Sequence, residues 1–348
     1  MKRIVLLAPA VQPPLTEGRK KFVVDLADTL REAGADVVLL NGAPARSTPG
    51  MIWDALRALR SALEDHTRVE AVVVFPFGRF SGPHGVVNRW FLRRAAELCQ
   101  AAGVATARVV YSCAGIRIEQ LSARFGPLLA VGRSAEAIVP MQLGIRHAAQ
   151  RWQPHGDSLQ RVLFLCGYQA PTKAALEGVL YERGLDDLLL AGDRVAAAGM
   201  RLTVAIPFLR DARMRSALHE RAVRSCPALP IEWLDEVNAQ AALLAHDAFV
   251  FPYRSEHAVF VPTSLLEALS LGIPVLAADH LMYRSLTTGA SGTRCELHRA
   301  GDPQSLARAA QAMATGYAAA IERARASADE VRDEWTLPRA VDELLAAL

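Results

Sequence analysis

FVFPYRSEHAVFVPTSLLEALSLGIPVLA, residues 249–277, decides how the rest of the chain is read. Ala248 to Phe251 is an apolar run of strand length, and Pro252 ends it where a doubly wound parallel sheet opens its ligand crevice. A loop follows, and then a helix. Thr263-Ser264 precede Leu265-Leu266, and Glu267 stands three residues after Ser264, the spacing of a capping box at a helix start. Gly272 stops that helix, and Ile273-Pro274-Val275-Leu276-Ala277 begins the next strand.

This order of strand, loop, helix, Gly-x-Pro and strand resembles the donor-binding segment of retaining GT-B glycosyltransferases, family four in particular. Leu266-Glu267-Ala268 and Gly272-Ile273-Pro274-Val275 match that family's pattern in type and spacing. Upstream, the fourth residue after Pro252 is Glu256, as in the family, but Glu256 and Glu267 are eleven apart where the family has eight. Counting eight back from Glu267 gives Val259, which cannot act as a carboxylate. Either the loop has three extra residues and Glu256 keeps the role, or the first glutamate is lost.

Composition sets the frame around this segment. A chain of 348 residues exceeds one ordinary core, so two domains are expected. With 51% hydrophobic and 22% charged residues it can bury both. No apolar run approaches the ~20 residues of a membrane span, and Met1-Lys2-Arg3 leads straight into a strand, so a cytoplasmic protein is expected. The five cysteines have no Cys-x-x-Cys pair and read as buried thiols. The net charge of +3 is uneven: residues 1–157 hold 20 Lys+Arg against 13 Asp+Glu. A basic half fits an acidic partner or the inner face of a membrane, and a solvated arginine-rich surface fits as well. Nucleic acid is disfavoured, because the basic residues lack aromatic interleaving.

Outward from the central segment, strands and helices alternate. Arg3 to Ala8 reads as a strand, Glu17-Gly18 opens a helix ending near Gly34, and Asp36 to Leu40 is the next strand. A helix from Val86 to Gln100, strands at Arg108–Ser112 and Pro127–Val131, and a short helix from Ser134 follow. Arg89, Trp90, Phe91, Arg93 and Arg94 suit either a basic aromatic membrane face or core packing of the two rings. Arg151 to Ser158, broken by Pro154 and Gly156, reads as a linker. The expected organisation is an N-terminal acceptor-side domain over 1–157, a nucleotide-sugar-binding domain over 158–330, and a helix in 331–348 crossing back to the first domain.

The resemblance implies a fold and a set of roles. The fold is α/β, with two Rossmann-like doubly wound parallel-sheet domains facing a central cleft. Gly18 at the first turn and Gly167 after the strand Arg161–Cys166 match glycines that approach the donor phosphates. Arg183-Gly184 takes the place of the family's Lys-Gly, so Arg183 is the first candidate to stabilise the leaving diphosphate and Lys173 the second. Glu267 would accept the ribose hydroxyls, the helix start at Thr263, Ser264 and Leu265 would face the donor, and Glu256 would hold the sugar. The family's histidine is replaced here by Ser112-Cys113-Ala114-Gly115. No Asp-x-Asp motif appears, so neither metal nor cofactor is expected. The implied reaction is retaining transfer from a nucleotide sugar to a small-molecule, glycan or lipid-linked acceptor. A catalytically degenerate binding subunit and a sugar-nucleotide epimerase are the competing readings.

Overall fold

A computed structural model describes the chain except residues 1, 10, 12–17, 42–47, 65–68, 76–81, 113–135, 143, 169, 236–237, 255–261, 281–282 and 291. The side chains at 18, 19, 48, 82–85, 89, 108–112, 136–142 and 347 are likewise outside the description. The strand expected at Pro127–Val131, the Ser112–Gly115 loop beyond Ser112, Val259 and Glu256 all fall within these gaps. Two compact units form: Met1–Arg146 with Trp335–Leu348, and His147–Glu334.

The first unit runs β1 (Arg3–Leu7), α1 (Gly18–Glu32), β2 (Asp36–Leu40), α2 (Thr48–Glu64), β3 (Ala71–Val74), α3 (Gly82–Ala101), β4 (Ala105–Ser112) and β5 (Glu136–Gln142). Its sheet is wholly parallel, ordered β2-β1-β3-β4-β5. Parallel strands are covered on both faces, which is why Ile4 to Leu7 and Ala71 to Val74 are buried without alternation. Ile52, Leu56 and Leu59 of α2 and Phe91, Leu92 and Ala95 of α3 close one face over Val5, Leu7, Val72 and Val74.

One expected element is different. Residues from Glu136 form a strand, not the helix read from Ser134, and pair with β4 from Thr106↔Glu136 to Ser112↔Gln142. The run Ala137-Ile138-Val139 suits a strand, and among the described residues β5 is the last strand of the sheet, a position that tolerates Pro140.

The second unit begins at His147, before the expected 157/158 boundary, because the residues read as a linker are pinned to its own helices. Its elements are β6 (Arg161–Leu165), α4 (Lys173–Glu177), a π-helical turn (Gly178–Glu182), α5 (Leu185–Leu190), α6 (Gly192–Ala197), β7 (Arg201–Ala205), α7 (Ala212–Ser225), β8 (Ile231–Leu234), α8 (Ala239–Ala245) and β9 (Ala248–Phe251). Then come α9 (Thr263–Leu271), β10 (Val275–Asp279), α10 (Arg284–Thr287), β11 (Thr288–Gly289), β12 (Gly292–Thr293), β13 (Glu296–Arg299), α11 (Pro303–Thr315) and α12 (Tyr317–Glu334). The pins are the Trp152 N–H on Leu271 O at 3.0 Å, its indole N–H on His246 O at 2.7 Å, and the Arg151–Asp329 and Arg332–Ala148 contacts. The last helix, α13 (Leu337–Ala347), belongs to the first unit and packs on β5 and α1.

The second sheet is also parallel, in the order β8-β7-β6-β9-β10-β13. Chain order reverses between β6 and β9. That switch point forces the connections leaving these two strands to opposite faces and opens a crevice at their carboxyl ends.

Candidate functional site

The two strands at the switch point end in polar aromatic segments. After β6 come Cys166, Gly167 and Tyr168; after β9 come Pro252, Tyr253 and Arg254. A Cβ at Gly178 would lie 2.8 Å from the Tyr168 hydroxyl, so the glycine makes room for that ring. The π-helical turn ends with the Arg183 N–H on Gly178 O at 2.9 Å. Gly184 then adopts φ +71°, and a Cβ there would stand 1.8 Å from the Pro252 carbonyl oxygen. Only glycine satisfies both conditions, and it brings the turn hard against the end of β9. A second tie is the Arg254 N–H on Glu182 O at 3.0 Å.

This geometry sets the Arg183 guanidinium among rings. Its carbon lies 4.7 Å from the Tyr253 ring centroid and 5.3 Å from that of Tyr168. Its Nε is buried without a hydrogen-bond partner, and among the described residues no carboxylate pairs with it. Burial works against the charge, but the Tyr253, Cys166, Tyr168 and Tyr283 groups around it leave its pKa above the ordinary arginine value. Burial in turn raises the Tyr253 hydroxyl and the Cys166 thiol, against the opposing pull of Arg183. Burial thus keeps the Tyr253 hydroxyl and the Cys166 thiol neutral beside a fixed cation, an arrangement complementary to an anion.

The neighbouring charges are already matched. Asp187, fully buried, takes Arg254 on both oxygens, with Nε to Oδ2 at 2.6 Å, and Asp186 accepts from Arg221 at 2.7 Å. These carboxylates fasten α5 to the end of β9 and to α7. Tyr283 stands edge-on to Phe251 at 5.3 Å, and Phe251 stacks on Tyr253 at 3.8 Å, so the ring beneath Arg183 is itself held in the core.

The other sequence candidates divide. Gly167 lies within this strand-end segment. Lys173 does not join the cluster: its side chain is 90% exposed, with its ammonium 3.8 Å from Glu177. Gly18 opens α1 of the first unit. Thr263 and Ser264 are half-buried and Leu265 is buried, all three in the first turn of α9. The capping box does not form. The helix begins at Thr263 with Pro262 as its cap, and Leu266 N–H donates to Pro262 O at 3.0 Å. Proline has no N–H for a Glu267 carboxylate to accept, and Ser264 lies inside the helix. Glu267 itself is half-buried in the second turn.

Sequence reading passed over Tyr253 and Tyr283 and two histidines at the same edge of the sheet. His280 follows β10, and His298 lies in β13, paired with Ala278 of β10; each has a buried Nε2 with no hydrogen-bond partner. Burial lowers the His298 pKa. No sequence signal joins them, since the β10–β13 register alone places them together.

Comparisons with known proteins bear on the fold. Residues 174–315 match the family model described as glycosyl transferases group 1. Sucrose-phosphate synthase from Thermosynechococcus elongatus superposes with a TM-score of 0.66 at 13% identity, over 99% of this chain and 98% of that one. A glycosyltransferase from Rickettsia africae gives 0.64 at 10% identity, over 99% and 97%. HepE from Anabaena, solved in complex with UDP and glucose, gives 0.63 at 14% identity over the whole of both chains. A search of curated proteins by sequence finds no match.

Together the comparisons show a GT-B fold, with a glycosyl transferases group 1 match confined to the second unit. The matched stretch lies wholly in the second unit and includes Arg183, Glu267 and the start of α9 but not Lys173.

Proposed function

We propose that the protein transfers a sugar from a nucleotide-sugar donor to an acceptor hydroxyl with retention of anomeric configuration and without a metal ion. The observation that carries this reading is Arg183, a buried cation at the switch point with neutral rings around it and no carboxylate partner among the described residues. A donor diphosphate would supply a counter-charge that the described residues do not. As the anomeric bond breaks, charge builds on the leaving phosphate, and a fixed guanidinium in a partly dry site stabilises it without reorganising.

The remaining roles follow from position. Gly167 lets backbone approach the diphosphate, and the first turn of α9 at Thr263, Ser264 and Leu265 presents N–H groups to which its proline cap offers no side-chain acceptor. Glu267, half-buried in the second turn of α9, accepts the ribose hydroxyls. Glu256 holds the sugar by the family resemblance alone. The leaving phosphate takes the acceptor proton on the face it departs from, which retains configuration without a protein nucleophile. HepE was solved with UDP-glucose, which supports a uridine nucleotide as the first donor to try.

Mass spectrometry of a donor panel, with and without a hydroxyl acceptor and with and without EDTA, tests the reading. Acceptor-dependent loss of the sugar, with NMR of the product showing the donor's anomeric configuration, is expected. Donor conversion without acceptor would indicate an epimerase, and turnover abolished by EDTA would refute metal independence.

A further inference from the structure

The first unit carries a surface that donor chemistry does not use. Helices α2 and α3 pack side by side, and their inner positions, Ile52, Leu56, Phe91 and Leu92, are buried. The outer positions are not polar throughout. Trp53 is 58% exposed and Trp90 is 45% exposed, and the two rings stack across the helix pair at 6.5 Å with 7° between their planes. Val86, one turn before Trp90, is 58% exposed. Phe91 and Trp90 thus part company: the first joins the core, and the second faces outward with a partner from another helix.

Two tryptophans held in register on water-exposed helix faces cost hydrophobic free energy unless something covers them. Arg57, Arg60, Arg93 and Arg94 are exposed on the same two helices, each beside a carboxylate three or four residues away. Together α2 and α3 contain five arginines against three carboxylates. The whole first unit has 20 Lys+Arg against 14 Asp+Glu, so its bias is positive, and the second unit's is negative.

We propose that the α2–α3 face docks this protein on an anionic lipid surface, with Trp53 and Trp90 at headgroup depth and the arginines over the phosphates. Tryptophan suits that depth because its ring is apolar and its indole N–H needs a polar partner. Arginine stems lie along apolar surface while their guanidinium groups reach anionic headgroups. Charge complementarity favours lipid over a second copy of the chain, whose own α2–α3 face is positive as well. The proposal rests on this exposed pair and is independent of the donor reading, because neither tryptophan lies in the second unit.

Co-sedimentation of the full chain with vesicles of phosphatidylcholine, alone or equimolar with phosphatidylglycerol, tests it. Binding to the mixed vesicles only is expected, weakened by salt, with tryptophan emission quenched by brominated acyl chains. Trp53→Ala/Trp90→Ala should lower the partition coefficient by tenfold or more, and Arg57→Gln with Arg93→Gln by roughly fivefold per residue. Both variants should keep the nucleotide binding of the wild-type chain, which separates a failed membrane surface from a failed donor site. Equal binding to both vesicle types, or binding unchanged in the tryptophan variant, overturns the proposal. A wild-type dimer that the tryptophan variant converts to a monomer overturns it in favour of self-association.

Discussion

Replacing Arg183 with methionine keeps most of the buried stem and removes the charge, and the two readings of this residue then predict opposite signs. In the free protein the substitution takes the guanidinium off two ring faces, Tyr253 at 4.7 Å and Tyr168 at 5.3 Å, worth about 1–3 kcal/mol together. It also relieves the desolvation of a cation that has no carboxylate among the described residues, several kcal/mol on the same scale. The free variant should therefore be as stable as the wild type or more so by about 1 kcal/mol, a rise of roughly 2–4 °C in Tm for a unit of this size. Nucleoside diphosphate binding should move the other way. Charge-assisted hydrogen bonds contribute about 1.5–3 kcal/mol, so Kd should rise roughly ten- to a hundredfold. Calorimetry with UDP, GDP and ADP gives the affinity, and thermal melts with and without nucleotide give the stability. A variant that loses ~2 kcal/mol of stability yet binds nucleotide as before would show that the guanidinium is a packing element, and the phosphate role would be lost with it.

Three further outcomes are expected. Gly184→Ala meets both a left-handed backbone and a Cβ 1.8 Å from the Pro252 oxygen, so it should cost at least ~2 kcal/mol by chemical denaturation and abolish nucleotide binding, whereas unchanged melting would contradict the close approach of the turn to β9. Glu267→Gln should weaken nucleotide binding about tenfold while stability shifts by under ~1 kcal/mol, since Pro262 excludes a capping box; the reverse pattern would return Glu267 to a structural role. Burial holds the His246 and His298 pKa values below that of an unfolded histidine, so the unfolded chain takes up protons first. Stability should be full above about pH 6.5 and fall as the pH drops below it, a slope that His298→Gln reduces and that a flat melting profile between about pH 7 and 5.5 would disprove.

Residue order alone settled features that are mostly local. Apolar runs bounded by glycine and proline located β1, β2, β6 and β9 to within a residue or two, because a strand buried on both faces has a continuous apolar signature. Gly272-Ile273-Pro274 marked the end of α9 for a reason visible in the chain: glycine at φ +78° terminates the helix, and proline cannot resume it. Local reading failed where partners are distant. β5 became a strand because β4 lay open to pair with it, and residues 147–157 joined the second unit because Leu271, His246 and Asp329 hold them there. A proline cap, not the Ser264–Glu267 spacing, fixed the start of α9. The candidate site was half legible: the family resemblance singled out Arg183 through Arg183-Gly184, but the surroundings of its charge could not be read. Only the β6–β9 switch point places Tyr168 and Tyr253, 85 positions apart in the chain, on the same guanidinium and leaves that charge without a carboxylate among the described residues. A charge's surroundings are set by contacts between distant segments, and sequence spacing carries no record of them.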